Sequence, residues 1–146
     1  MPLYQVNHMQ AIEMAQRVPT YEVEAIPGVS GVALVGVTII EREAGDETHL
    51  HETIHHLQFE SEGLFKYSIT YAGDFVRGLY HGCGLYESYQ AVRYEMQARD
   101  AVRVAEYSLL EDMAAIREGV SVYADAAPNT RWATRGTRVL PYRVAR

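Results

Sequence analysis

Apolar positions change period several times along the chain, and each change marks an element. After Asn7, Met9, Ile12 and Ala15 (or Gln16) recur at helical steps, and Asn7 with Gln10 suits a capping box. Pro19 closes that helix near Arg17, and Pro27-Gly28 reads as a turn. Gly31 to Glu41 is dense in β-branched residues and predicts a strand bent at Gly36. Ala44-Gly45-Asp46 makes the next turn, with Asp46 or Thr48 as cap of a helix reaching about Glu60. Leu50, Ile54 and Leu57 form its apolar stripe, and His51, His55 and Gln58 run alongside that stripe. Gly63 separates a second helix, Leu64 to about Tyr80, with Leu64, Ser68, Tyr71, Phe75 and Leu79 along one face and Tyr67 and Val76 on its flanks. That tyrosine-rich face reads as packing. A third and longest helix is predicted from about Tyr89 to Arg117, its stripe being Ala98, Ala101, Val102, Ala105, Leu109, Met113 and Ile116, and Gly119 ends it. Beyond it, Ser121–Tyr123 suggests a short strand and Ala126 to Asn129 a turn. The fold class is therefore α+β, mainly α. About three helices form the core, with a short sheet or edge strand before the histidine-bearing helix. Residues 1–120 read as the domain and 121–146 as a basic C-terminal arm.

Composition narrows this picture only a little. At 146 residues, with 48% hydrophobic and 22% charged residues, the chain has the balance of one soluble globular domain. Its net charge is −6, but five arginines and no acid fall within residues 131–146. The rest holds eight basic against nineteen acidic residues, a body of −11 beside an arm of +5. An acidic body repels phosphate, so nucleic-acid binding is not expected. Trp132, Val139, Leu140 and Tyr142 give the arm apolar groups with which to dock, on its own body or on a neighbouring subunit. Cys83 is the only cysteine, which excludes an internal disulfide and a cysteine-based zinc site; between Gly82 and Gly84 it reads as a loop thiol. MPLYQVNHMQ lacks the basic and apolar regions of a secretory signal. The longest apolar run, Val32–Ile40, is too short to cross a bilayer, so a cytoplasmic protein without a membrane span is expected.

The chemistry concentrates in His51-Glu52-Thr53-Ile54-His55, an HExxH sequence. On a helix, residues four apart lie about 40° from eclipsed, so both imidazoles can reach one ion. Glu52 sits beside them, placed to hold a water rather than the ion. That set suits hydrolysis, in which zinc acidifies water and polarises a carbonyl while the carboxylate takes the proton. A third ligand must come from elsewhere. Glu95 lies at helical steps from Ala98, Val102, Ala105 and Leu109, on the buried stripe, where a lone carboxylate is strongly penalised without a positive partner. The competing reading is an i,i+4 ion pair of Glu95 with Arg99. Glu60, Glu62, Asp74 and Glu87 are rival ligands; Glu60 and Glu62 follow His55 closely, and Asp74 falls off its helix stripe and reads as solvated.

HETIHHLQ, a tyrosine-rich helix, and then Tyr86-x-x-Tyr89-x-x-x-x-Tyr94-Glu95-x-x-Ala98 together resemble small zincin domains of the HExxH-plus-glutamate (gluzincin-like) type, as found in bacteria and in tailed phages and prophages. The likeness covers about residues 31–105. It implies a zincin-like core in which His51, His55 and Glu95 bind one zinc ion and Glu52 is the general base. Gluzincins often carry an acid four residues after the ligand glutamate to orient a histidine; here that position is Arg99, which leaves Asp100 as the candidate for the orienting part. For the oxyanion, Tyr89 and Tyr94 are the nearest candidates and His81 a third. The resulting expectation is a zinc-dependent peptidase-like domain acting on a peptide or protein, which could pair with the strand at 31–41. The alternative is a structural or assembly component, for example of a phage particle, whose metal site is structural or vestigial and whose residues 131–146 engage a neighbour.

Overall fold

A computed structural model of the chain describes residues 6–119, together with the backbone of residues 144 and 145. The strand expected at Ser121–Tyr123, the turn after it and the side chains of the basic arm, Trp132 included, lie outside the described residues. Within them the chain is α+β and mainly helical. Six helices, α1 (His8–Arg17), α2 (Asp46–Glu62), α3 (Leu64–Tyr80), α4 (Leu85–Gln90), α5 (Arg93–Arg103) and α6 (Tyr107–Arg117), join strands β1 (Thr20–Val23), β2 (Gly31–Leu34), β3 (Val37–Glu41) and β4 (Val144–Ala145).

Local signals account for most of these boundaries. The Asn7 side chain accepts a hydrogen bond from the Gln10 amide and starts α1, and Val18 ends it just before Pro19. Met9 nevertheless faces solvent, and the buried side of α1 is Ala11, Ile12, Met14, Ala15 and Gln16. At α2 the cap is the backbone of Gly45; neither Asp46 nor Thr48 caps the helix, and Asp46 and Glu47 instead place negative charge in its first turn. Gly63, at φ 83°, lets the chain turn from α2 straight into α3.

Several expectations need correction. The single bent strand over 31–41 is a hairpin, with β2 and β3 antiparallel and Gly36 (φ 73°) in the turn between them. β3 then pairs in parallel with β1, an element with no clear sequence signal, and β4 pairs with the far side of β1. The order β2-β3-β1-β4 makes β2 an edge strand. The long third helix is three pieces. Asp74, expected to be solvated, is buried and takes the Arg93 amide and two guanidinium nitrogens, which starts α5 at Arg93 and rules out a continuous helix through 91–92. A second break at residues 104–106 re-aims α6 so that Leu109, Met113 and Ile116 join Ala11, Ile12, Leu50, Ile54, Ala98 and Ala101 in the main core. A smaller cluster of Tyr67, Val92 and Tyr94, with Phe59, Tyr71 and Phe75 against it, closes the other end. On α3 the buried positions are Tyr67, Asp74 and Gly78 rather than the stripe through Leu64 and Leu79.

The α2 helix is enclosed on nearly all sides: by α1, α5 and α6 on its apolar face and by the sheet on the other. Thr20 of β1 and Thr38 of β3 are register partners, and their hydroxyls meet His49 Nε2 (3.2 Å) and His56 Nε2 (2.9 Å). These two histidines tie the helix to the sheet as neutral groups. Burial lowers His49 to about 3 and His56 to about 4, with nearby cations (Arg117 for His49) acting in the same direction. At these two positions the unfolded chain, with histidines near 6.5, binds protons that the folded chain refuses, so their contribution to stability falls as pH drops below about 6.5. The expected loss approaches about 1.4 kcal/mol per pH unit for each histidine. Urea unfolding at pH 7 and pH 5 should show it, and His49→Gln or His56→Gln should each remove a share. An acid sensitivity unchanged from wild type in both variants would rule these residues out.

Candidate metal centre

Helix α2 presents His51 and His55 one turn apart, and α5 brings Glu95 across to them. One ligand atom from each of the three lies within 4.8 Å of the others. His51 Nε2 is 2.9 Å from Glu95 Oε2, and His55 Nε2 is 3.2 Å from Glu95 Oε1. Tetrahedral zinc, with bonds of roughly 2.0–2.2 Å, holds its ligands roughly 3.4 Å apart, which is close to this spacing. Glu95 does not pair with Arg99, whose guanidinium donates to the Gln90 carbonyl instead. The rivals are engaged elsewhere: Glu60 with Arg17, Glu62 with Lys66 and Asp74 with Arg93, while Glu87 is exposed.

The hydrogen bonds around His55 fix which of its nitrogens bears a proton. Gln58 donates its amide to the Tyr94 carbonyl (3.1 Å) and to Gln97 Oε1 (3.2 Å), so its own oxygen must be the acceptor facing His55 Nδ1 at 2.8 Å. Nδ1 is then the protonated nitrogen of the neutral ring, and Nε2 carries a lone pair aimed toward the Glu95 carboxylate. That buried Nε2 makes no hydrogen bond despite its closeness to Glu95. Two lone-pair carriers facing one another at 3.2 Å call for positive charge between them, a proton on the ring or a metal ion. The group formed by His51, His55 and Glu95 can hold a metal ion.

The surroundings support the ligands in turn. Tyr71 donates its hydroxyl to Glu95 Oε1 at 3.0 Å, and the Tyr67 hydroxyl lies 3.3 Å from His55 Nδ1. Burial works to raise the Glu95 pKa, but His51, which hydrogen-bonds it, and the neighbouring His55 imidazole hold the carboxyl far below its ordinary range. At His55 burial acts against protonation, and Glu95 more than offsets it, leaving the metal-free ring above its usual value. Tyr67, Tyr71 and Tyr89 are all pushed up by burial first and by Glu95 next, so their hydroxyls remain neutral.

Glu52 is 5% exposed, beside the ligands rather than among them. Burial pushes its carboxyl above the ordinary range, against the pull of His55 and His51 and of the Ala33 amide on β2. Gly31 explains how β2 comes so near: a Cβ there would sit 3.0 Å from both Glu52 Cγ and Thr48 Cγ2. Two cavities flank this point. The larger, about 740 Å³, reaches His51, Glu52, Tyr86, Tyr89 and Arg99; the smaller, about 350 Å³ and mostly apolar, reaches His55, Glu95, Phe59, Tyr67 and Tyr71. Glu52, Gly31, Val29 and Tyr89 border both, so His51, His55 and Glu95 line adjoining parts of one cleft beside β2.

The structure does not bring every candidate to this cleft. Tyr89 lies in it. Tyr94 is stacked on Tyr67, with ring centroids 4.4 Å apart, and its packing and its carbonyl are what the site uses. Asp100 pairs with Arg103 and reaches neither histidine; the part proposed for it, fixing a ligand imidazole, falls to Gln58. His81 is exposed and packs edge-on against Tyr80. Tyr67 and Tyr71 were legible only as packing residues, and a glycine inside the β-branched run was the one sequence signal for the close approach at Gly31. Compared with known protein families, characterised proteins and solved structures, the chain has no match.

Proposed function

We propose that this chain is a zinc-dependent peptidase domain of gluzincin-like type, with His51, His55 and Glu95 as ligands. The observation that carries the reading is the convergence of His51, His55 and Glu95, with His55 Nε2 buried, 3.2 Å from the carboxylate and outside any hydrogen bond. Zinc held there would supply a Lewis acid that lowers the pKa of water and polarises a carbonyl. Glu52 takes the proton of the attacking water and passes it to the leaving amine. Its raised pKa moves it toward neutrality, where such a shuttle works best. Tyr89, a neutral donor on the cleft wall, is the candidate partner for the oxyanion. The edge strand β2 offers a sheet edge, beside Glu52, along which an extended peptide can lie. Among the described residues no helix is long and apolar enough to cross a membrane. Purified protein should contain one zinc per chain by elemental analysis and should cleave unfolded protein substrates, with cleavage lost on chelation and restored by zinc. Absence of bound metal would remove the proposal, and full zinc occupancy without turnover would assign the ion a structural part.

A further inference from the structure

The wall of the larger cavity contains a cation that the zinc chemistry does not use. Arg99 stands one turn beyond Glu95 on α5, about 6 Å along the axis and on nearly the same face. Arg99 lines the cavity with His51, Tyr86 and Tyr89, and Glu47 and Glu52 line it as well. One nitrogen donates to the Gln90 carbonyl at 2.6 Å, which holds the group in place without neutralising it. Among the described residues no carboxylate forms an ion pair with it. Asp100 is taken by Arg103, and Glu95 by the two histidines and Tyr71. Arg103 also lines this cavity but arrives already paired. A half-buried arginine on the lining of a cleft, one guanidinium nitrogen anchored by a backbone oxygen, is suited to receive a carboxylate by a charge-assisted hydrogen bond from its remaining nitrogens.

We propose that Arg99 is the carboxylate-recognition group of this cleft, so that the preferred ligand is a peptide with a carboxylate on the His51 side of the site. That carboxylate is either the chain terminus or an acidic side chain. For hydrolysis the proposal rests on the peptidase reading; for binding it does not. The experiment uses the zinc-loaded full chain and four short fluorescent apolar peptides. They carry a free or amidated C-terminus, each combined with Glu or Gln at the preceding position, and binding is followed by anisotropy. The wild type should prefer the carboxylate form of at least one pair about tenfold, which is about 1.4 kcal/mol. Arg99→Gln should reduce that preference to within about twofold at unchanged zinc content, and Arg99→Lys should restore part of it. A preference confined to the free terminus identifies end recognition, and one confined to Glu identifies an acidic side chain; both support the assignment. No peptide binding, no preference in the wild type, or a preference that survives in Arg99→Gln overturns it. Zinc content and hydrolysis measured on the same samples separate the two ideas, because an intact preference without cleavage sinks only the peptidase reading.

Discussion

Glu52→Gln is expected to keep its zinc and lose peptide hydrolysis, with kcat falling by about 10²–10⁴, the range that a positioned proton shuttle contributes. The substitution isolates proton transfer because so little else changes. Glutamine has the same shape, so the 3.0 Å approach of Gly31 is preserved and its oxygen can still accept from the Ala33 amide. None of the three ligands is touched. Stability supplies an independent reading. Burial holds the Glu52 carboxyl above its ordinary value, so at neutral pH the ionised form is a cost to the folded chain. Glu52→Gln should therefore unfold at higher urea than the wild type at pH 7, with the gain shrinking as pH falls and the wild-type carboxyl takes up its proton. Zinc by elemental analysis, kcat on a quenched peptide and urea midpoints at two pH values make the test. A variant that hydrolyses within a few-fold of wild type would take Glu52 out of the mechanism.

Much of this site was readable before any coordinates because its determinants are local. Two histidines four apart on a helix must share a face, and a glutamate in phase with Ala98 and Val102 must turn inward. The misreadings arose where distant groups decide. The predicted helix through residues 91–92 contains no glycine or proline, yet Asp74, nineteen residues earlier, captures the Arg93 amide and starts a new helix there. The phase error on α3 has the same origin: Asp74 is drawn inward by Arg93, and Tyr67 and Tyr71 by the ligands they support. β1 is four residues long, and only its partners β3 and β4 make it a strand. Gln58 shows both sides: its position beside His55 was evident from spacing, whereas its part in fixing the His55 proton depends on Tyr94 and Gln97, which arrive from another helix.

Zinc should stabilise the folded chain strongly, and by an amount that depends on pH in a set direction. A ligand held by the native state alone, at a thousand times its Kd, adds about 4 kcal/mol, which for a domain of this size raises Tm on the order of 10–20 °C. In the metal-free chain Glu95 and His55 substitute for the missing ion with one another, as the lowered carboxyl and the raised imidazole record. The Glu95 contribution is present above its unfolded value near 4.5 and disappears as pH falls through its lower folded one. The His55 contribution is complete below about 6.5 and disappears as pH rises through its elevated folded value. The pair is thus at its strongest between the two, around pH 5–6, where zinc must also displace protons from its ligands. As pH rises through the elevated His55 value that substitute fades, and metal binding displaces fewer protons. The Tm increase on adding zinc to chelator-treated protein should accordingly be larger at pH 8 than at pH 5.5. Glu95→Ala leaves two imidazoles with no carboxylate and the Tyr71 hydroxyl with no acceptor, and should lose most of the zinc response at both values. A zinc-induced shift of equal size in the wild type and Glu95→Ala would mean that the ion binds somewhere else.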